Sequence, residues 1–434
     1  MRRLSPEEKA RLLQAARENP APEAGEDASL TSPPDPWTDF RTHPGYQQLR
    51  LLQEGGRRLG VDTPFFRLHE GSASRHSRIA GRQVLNFSSY NYLGLAGHPE
   101  VSAAARNAID QYGTSVSASR IVSGERPFHR ELERGLAAHY GVDDALALVS
   151  GHATNLSVLG HLLGPRDLVL HDAYAHNSLV LGARLSGARR IAFAHNDLAA
   201  LEAQLRLHRR SAERALIAVE GIYSMDGDFP DLPRLLELKR RYRAWLMVDE
   251  AHSLGVAGPD GGGLASHFGV EPRETDIWMG TLSKTLASCG GYIAGCQALV
   301  DNLRHLAPGF LYSVGITPPA SAAAAAALHI LHREPERVQR LQASGRRLLA
   351  GLQGLGLDTG GSHGLAVIPW IVGSSVRAVQ YSDALLEQGI CVQPILYPAV
   401  PESRARLRFF LNSAHTVEDT DDTVKAIARL LPER

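Results

Sequence analysis

The chain has few cysteines and no long apolar run. Its three cysteines, Cys289, Cys296 and Cys391, form no C-x-x-C pair, which is typical of reduced thiols in the cytoplasm and argues against a disulfide framework. No segment approaches the roughly 18 apolar residues of a membrane span, and the N-terminus lacks an apolar signal-peptide core. We therefore expect a cytoplasmic protein with no membrane span.

Neither sign of charge predominates, because 46 lysines and arginines balance 46 aspartates and glutamates. No global field would draw the chain to nucleic acid or to an anionic membrane, and we predict neither as a partner. The P-loop, H-E-x-x-H and G-x-S-x-G motifs are also missing. These absences exclude the common phosphate-loop, zinc-peptidase and serine-hydrolase classes, and we predict no metal site.

The N-terminal residues differ from the rest of the chain. Ser5-Pro-Glu-Glu8 is a capping box with proline at the first helical position, which predicts a helix over residues 6–18. Residues 19–36 are rich in proline, alanine and acids, which is typical of a flexible linker. This stretch is either a solvated tail or a docking segment for a partner protein.

Short apolar runs alternate with helical patterns through the middle of the chain. This alternation predicts an α/β fold with a mainly parallel sheet covered by helices on both faces. The predicted strands are residues 145–149, 167–170, 190–194, 216–219, 245–248 and 277–279.

The C-terminal third predicts a smaller α+β domain. An alanine-rich helix over residues 320–331 and a second helix to about residue 355 precede strands at 366–372, 391–395 and 406–411 and a helix from Val417. We predict four regions: an N-terminal helix and linker (1–45), a segment joining the small domain (46–100), a large cofactor-binding domain (101–310) and a C-terminal small domain (311–434).

One lysine lies at the end of a predicted buried strand. Ligands of such sheets bind beyond the carboxyl ends of the strands, where Gly280-Thr-Leu-Ser-Lys284 follows residues 277–279. A desolvated lysine loses its proton easily, and the neutral amine is a nucleophile that forms Schiff bases. One candidate ligand for Lys284 is a pyridoxal phosphate (PLP) cofactor, whose aldehyde forms an imine with lysine.

Residues at the ends of other predicted strands are suited to bind the pyridine nitrogen, the phosphate and the ring of this cofactor. Asp249 ends an apolar strand and would pair with the pyridine nitrogen, although it could instead be a helix N-cap. The Ser150-Gly-His-Ala-Thr154 turn opens a helix whose amides suit a phosphate. His252 could donate to the ring oxygen and His176 could lie flat on the ring, or each could be a packing residue.

Seven ordered motifs resemble the α-oxoamine synthases, over about residues 85–431. The motifs begin at Asn86, Ser119, Ser150, Glu220, Val248, Gly280 and Ala405. Further segments are similar to family members that work beside polyketide assembly lines, of the saxitoxin-starter type; these segments are residues 112–120, 277–280, 287–295, 307–310 and 392–400.

The resemblance implies a fold type I PLP-dependent transferase, like aspartate aminotransferase, that joins an amino acid to an acyl thioester on CoA or an acyl carrier protein. It assigns Lys284, Asp249 and His176 as catalytic residues and implies a homodimer with shared active sites. Cofactor contacts are implied for Gly151, His152, His176, Ser224, Asp249, His252, Thr281 and Lys284. Substrate contacts are implied for Arg408, Asn91 and Ala399.

The chain departs from the family pattern at Tyr90, His152, Leu396 and Ala399, which leaves the amino-acid substrate open. Two other functions share parts of this pattern. An aminotransferase or decarboxylase of the same fold would keep Lys284 and Asp249 but would consume no thioester. A non-catalytic synthase-like subunit would lack the lysine, which this chain has.

Overall fold

The computed structural model describes residues 35–58 and 63–432. The described residues up to Thr63 and the described residues from Pro64 onward belong to two compact units. The described part of the first unit consists of helices Asp35–Thr38 and Pro44–Arg58 with the 3-10 turn Phe40–Thr42 between them. The predicted helix over residues 6–18 lies outside the described residues, as does the predicted linker up to residue 34.

The second unit contains thirteen strands among its described residues. They are β1 (His76–Ile79), β2 (Arg82–Asn86), β3 (Asp144–Leu148), β4 (Leu168–Asp172), β5 (Arg189–Phe193), β6 (Ala215–Glu220), β7 (Trp245–Asp249), β8 (Ile277–Thr281), β9 (Gly291–Gly295), β10 (Val367–Ile371), β11 (Ile390–Cys391), β12 (Gln393–Ile395) and β13 (Arg406–Phe410).

The α-helices of this unit connect and cover the strands. They are Pro99–Tyr112, Pro127–His139, Gly151–Leu162, Asn177–Leu185, Leu198–His208, Leu232–Tyr242, Leu264–Phe268, Gln297–Leu306, Pro308–Leu311, Pro318–Arg333, Glu336–Gly354, Ser375–Glu387 and Val417–Leu430. Several begin with proline, whose missing amide costs nothing at a first helical position. None of the described helices is long and apolar enough to cross a membrane.

Seven strands form the central sheet, in the order β3-β9-β8-β7-β6-β4-β5. All six predicted runs are strands of this sheet, and β4 to β8 pair in parallel. β3, β4, β6 and β8 are buried along their whole length, as expected for a sheet covered on both faces.

β9 was not predicted, and it runs antiparallel between β3 and β8. A packed aromatic group holds it in place: Tyr140 stacks on Trp278 with 5.2 Å between ring centroids, and its hydroxyl lies 2.7 Å from that of Tyr292. Tyr292 lies directly over Gly280 of β8, where a Cβ atom would stand 2.2 Å from the ring. Glycine at position 280 therefore lets β9 close the sheet beside the predicted lysine loop.

Two smaller sheets complete the unit. β10, β13 and β12 pair antiparallel, whereas β11 pairs with β2 in the sheet β1-β2-β11. The predicted strand over residues 391–395 is therefore two short strands in different sheets. The predicted alanine-rich helix is confirmed as Pro318–Arg333, and Ala323, Ala324 and Ala327 are buried on it. The predicted domain boundaries stay a prediction.

Candidate active site

The strand register brings acidic side chains together at one edge of the central sheet. Glu220 and Asp249 are the last residues of β6 and β7 and pair directly with each other, and Asp249 pairs with Met279 of β8. β8 then leads through Thr281 to Lys284. The carboxyl ends of three parallel strands thus place two carboxylates and one amine at the edge where such sheets bind ligands.

Lys284 lies in the wall of a cavity of about 420 Å³, which residues of the 69–96 and 283–288 segments line. Burial lowers the pKa of its amine to about 8, although the negative charges of Asp249 and Glu220 act in the opposite direction. Its Nζ lies 5.7 Å from the ring centroid of Tyr90. A minority of this amine is therefore neutral near physiological pH, but this minority is far larger than for a lysine in water.

The carboxylate of Asp249 is buried and firmly held. Its Oδ2 accepts a hydrogen bond of 2.9 Å from Nδ2 of Asn155, and its Oδ1 accepts one of 3.0 Å from the amide of Ala251. Residues 251–253 form a turn and not a helix, so Asp249 is not a helix N-cap. These bonds fix one carboxylate at the sheet edge, within electrostatic range of the Lys284 amine.

Glu220 is a second buried acid beside Asp249. It begins one of the family motifs, but no function was predicted for it. Its burial and the neighbouring charge of Asp249 raise its pKa well above the usual range. Its Oε2 accepts a hydrogen bond from the amide of Ser224, whereas its Oε1 is buried without a partner. The sequence signal was available, because Glu220 ends an apolar strand as Asp249 does.

His176 caps the helix Asn177–Leu185 beside this cluster. Its Nδ1 lies 2.7 Å from the hydroxyl of Ser178 and accepts from the Ser178 amide at 3.3 Å. Burial lowers its pKa, and the positive charge of Lys284 acts in the same direction, so the imidazole is neutral at pH 7. The ring of His152 meets it edge-on, with 6.1 Å between centroids.

His252 follows Asp249 in the turn after β7 and is buried. Its Nδ1 lies 2.7 Å from the hydroxyl of Tyr92, and its ring lies parallel to that of Phe410 with 6.2 Å between centroids. Burial lowers its pKa well below the usual range, and the charges of Lys284 and Arg408 lower it further. Its role toward the cofactor stays a prediction.

The predicted phosphate turn packs tightly against the lysine loop. Ser150 caps the helix Gly151–Leu162 by accepting from the amide of Ala153. A Cβ atom at Gly151 would stand 2.7 Å from Oγ1 of Thr281, so only glycine lets this helix start approach the loop. The first-turn amides and the hydroxyls of Thr281 and Ser283, which lie 2.7 Å apart, make a polar cradle suited to a phosphate.

Arg408 on β13 is a buried cation with no acidic partner. Its Nη1 donates 2.9 Å to the carbonyl of Ser224, and its Nε is buried without a partner. Among the described residues, no carboxylate forms an ion pair with it, and its Cζ lies 4.5 Å from the ring centroid of Phe410. A buried guanidinium in this state is suited to an anionic ligand such as an amino-acid carboxylate.

Three other predicted residues are positioned mainly through backbone contacts or within loops. The backbone carbonyl of Ser224 accepts a hydrogen bond from Arg408, and a cofactor contact of Ser224 stays a prediction. The side chain of Asn91 makes hydrogen bonds to the backbone: its Nδ2 donates to the carbonyl of Ala73 at 2.6 Å, and its Oδ1 accepts from the amide of Ala96. Ala399 is exposed in the turn after β12. Substrate contacts of Asn91 and Ala399 stay predictions.

A charged cluster beside the site joins three strand-end loops. His195 lies 2.8 Å from Asp172 through Nδ1 and 2.8 Å from Asp228 through Nε2, and the ring of Tyr174 stacks on it. The hydrogen bonds to these carboxylates outweigh burial and raise the pKa of His195 to about 10. No role was predicted for His195, since nothing in its local sequence shows that it contacts Asp172 and Asp228, which are 23 and 33 residues away.

This arrangement defines an enzyme that uses PLP as its cofactor. The observed groups fit it: an amine with a lowered pKa, a fixed carboxylate for the pyridine nitrogen and a glycine-lined cradle for the phosphate. Among the described residues, no group of three or more histidines, cysteines and acids could hold a metal ion.

Comparisons with known proteins agree with this class. The model of the family "Aminotransferase class I and II" matches residues 82–427. The 8-amino-7-oxononanoate synthase of Symbiobacterium thermophilum is 39% identical over 382 residues, covering 88% of this chain and 97% of that protein. A putative 8-amino-7-oxononanoate synthase of Geobacillus kaustophilus is 43% identical over 350 residues, covering 81% and 89%.

Solved structures give the same result. Serine palmitoyltransferase of Sphingomonas wittichii has a TM-score of 0.86 at 28% identity, covering 91% of this chain and all of that chain. A serine palmitoyltransferase structure with PLP also has a TM-score of 0.86, at 27% identity. The chain belongs to the class I/II aminotransferase family and, within it, to the α-oxoamine synthases, which are PLP-dependent acyltransferases. The predicted family, fold class and cofactor are thereby confirmed.

Proposed function

We propose that this enzyme condenses an amino acid with an acyl thioester and releases a thiol, carbon dioxide and an α-amino ketone. The observation that carries the proposal is the joint presence of a lowered lysine pKa at Lys284 and the unpaired guanidinium of Arg408. The relatives named as 8-amino-7-oxononanoate synthase and serine palmitoyltransferase support an acyl-transfer reaction.

Each residue has a distinct task in this proposal. Arg408 binds the carboxylate of the amino acid, and the neutral Lys284 amine takes the α-proton as a general base. Bound PLP supplies an electron-withdrawing ring, and Asp249 keeps its nitrogen protonated. His176 donates a hydrogen bond to the thioester oxygen as negative charge develops there.

The proposed reaction is balanced and needs no further reactant. A carbon–carbon bond forms between the amino-acid α-carbon and the thioester carbonyl carbon, while the carbon–sulfur bond breaks and the thiol leaves. The carboxylate then departs as carbon dioxide, its bonding electrons stay on the α-carbon, and this carbon takes back a proton.

We further propose a biosynthetic role beside a polyketide-type assembly line, with the acyl group on an acyl carrier protein or CoA, and a cytoplasmic location. The segments that resemble polyketide-associated members support the first part. The three cysteines are free, which supports the second.

The test is to measure thiol and carbon dioxide release. The protein is mixed with an acyl thioester and each of the twenty amino acids, with CoA and carrier-protein donors compared side by side. We expect one amino acid to give both products in equal amounts, and Lys284→Ala to give neither and to lose the visible absorbance of lysine-bound PLP. Lys425→Ala, which changes an exposed lysine, is the control. A keto acid formed without thiol release would instead support an aminotransferase.

A further inference from the structure

A chain of hydrogen bonds connects Asp249 to His176 through the buried side chains of Asn155 and Ser178. Nδ2 of Asn155 donates 2.9 Å to Oδ2 of Asp249 and 2.8 Å to the hydroxyl oxygen of Ser178. The Ser178 hydroxyl lies 2.7 Å from Nδ1 of His176. Asn155 and Ser178 are each about 1% exposed, so water does not compete for these bonds.

The direction of every bond in this chain follows from Asp249. A carboxylate only accepts hydrogen bonds, so Asn155 must turn its NH₂ group toward Asp249 and Ser178 and use both hydrogens there. The Ser178 oxygen is then already an acceptor. Its own hydrogen is free to go to Nδ1 of His176, which is its remaining partner among the described residues.

A second donor reaches the same nitrogen independently. The backbone amide of Ser178 donates to Nδ1 of His176 at 3.3 Å, as an N-capping interaction of the helix Asn177–Leu185. A backbone amide cannot reverse its role, so a proton on Nδ1 would oppose this N–H. The Ser178 oxygen would then have to accept from both Asn155 and His176, which leaves its buried hydroxyl hydrogen without an acceptor. The imidazole proton is therefore excluded from Nδ1.

We propose that Asn155 and Ser178 are positioning residues that hold His176 in the tautomer with its proton on Nε2. This inference rests on the proposed function, in which His176 donates a hydrogen bond to the thioester oxygen, because Nε2–H is the donor that the tautomer leaves free. The same carboxylate that would pair with the pyridine nitrogen of bound PLP thus sets the proton position of the imidazole.

The experiment is two-bond ¹H–¹⁵N NMR on the full-length protein with its cofactor, labelled with ¹⁵N-histidine. The His176 signals are assigned by their loss in His176→Gln. We expect wild type to show an unprotonated Nδ1 and a protonated Nε2. Because histidines in water also favour Nε2–H, the decisive readout is the change in Ser178→Ala. In Ser178→Ala, the ¹⁵N chemical shift of Nδ1 should move toward that of a nitrogen that accepts no side-chain hydrogen bond. The proton affinity of the His176 ring should rise at least threefold, which raises its titration midpoint.

Controls separate positioning from general structural damage. Ser186→Ala removes a buried serine hydroxyl at the other end of the same helix and should leave the His176 signals unchanged. Ser178→Thr keeps the hydroxyl and should restore them. Should Ser178→Ala not fold, Asn155→Leu removes the bond that fixes the Ser178 oxygen and should raise the midpoint in the same direction.

A proton on Nδ1 in wild type, or an unchanged Nδ1 shift and midpoint in Ser178→Ala, would overturn the inference. These signals do not depend on thiol release. Failure of the inference is therefore distinguishable from failure of the proposed reaction.

Discussion

The fold lowers the pKa of Lys284, the residue proposed as the general base. Burial draws its pKa down to about 8, while Asp249 and Glu220 keep it from falling further. The amine is therefore mostly protonated at neutral pH, but its neutral fraction is far larger than that of a lysine in water, which suits a general base. The fold achieves this with acids at the ends of adjacent strands, because the parallel register aligns their carboxyl ends.

Selective acetylation should report this pKa. The chain has only four lysines, Lys9, Lys239, Lys284 and Lys425, so each can be followed by mass spectrometry. In cofactor-free protein, we expect the acetylation rate of Lys284 to reach half its maximum near pH 8. In Asp249→Asn the midpoint should fall, because a negative charge that raises the pKa is lost. A midpoint that rises in this variant would contradict the assigned proximity of the two groups.

Arg408 should control affinity for the amino acid. Removing one charge-assisted hydrogen bond costs about 1.5–3 kcal/mol, so Arg408→Ala should raise the amino-acid KM by roughly 10- to 150-fold. The absorbance of bound PLP should not change, since Arg408 contacts Ser224 and not the cradle. Arg377→Ala, an exposed arginine of the same domain, is the matched control. Unchanged amino-acid affinity in Arg408→Ala would remove it from this role.

At the scale of elements, the loops after β4, β5 and β6 are joined by one cation. His195 bridges Asp172 at the end of β4 and Asp228 in the loop after β6, and Asn196 also binds both acids. These loops carry His176 and Ser224. The cluster therefore fixes the loops that present the site.

Because His195 has a raised pKa, its contribution to stability depends on pH with a definite sign. The contribution is fully present below pH 6.5, the usual pKa of histidine, and is lost as pH rises through about 10. Removing the cation from these carboxylates costs on the order of 2–4 kcal/mol. We expect His195→Gln to melt below wild type at pH 6 and the gap to close toward pH 10, as measured by calorimetry. An equal gap at both pH values would contradict the assigned charge.

The sequence predicted the parts of this fold that depend on local pattern. Buried parallel strands read as continuous apolar runs, so β3 to β8 and the acids and lysine that follow them could be recognised. β9 could not, because Gly291-Tyr-Ile-Ala-Gly295 is bounded by glycines and its direction depends on the packing of Tyr292. Asn155 and Ser178 were missed as partners because their hydrogen bonds join residues 94 and 23 positions apart.

At the scale of the whole molecule, an apolar surface patch indicates self-association. Two adjacent segments carry Ile121, Val122, Tyr312 and Val314, which are 55%, 79%, 88% and 46% exposed, and a β-bridge between Ser119 and Val314 joins the segments. Contiguous exposed apolar residues mark interaction sites. The family resemblance implies a homodimer with shared active sites, and we propose that this homodimer buries the patch.

A charge in this patch should break the proposed dimer. An unpaired carboxylate buried in an apolar interface costs a few kcal/mol, so Val122→Asp should raise the dimer dissociation constant by about 100-fold or more. Sedimentation velocity would show wild type as a dimer and the variant as a monomer at the same concentration. Leu207→Asp changes a leucine outside this patch, 70% exposed on the helix Leu198–His208, and should stay dimeric. A monomeric variant that still releases thiol at the wild-type rate would show that each subunit has a complete site.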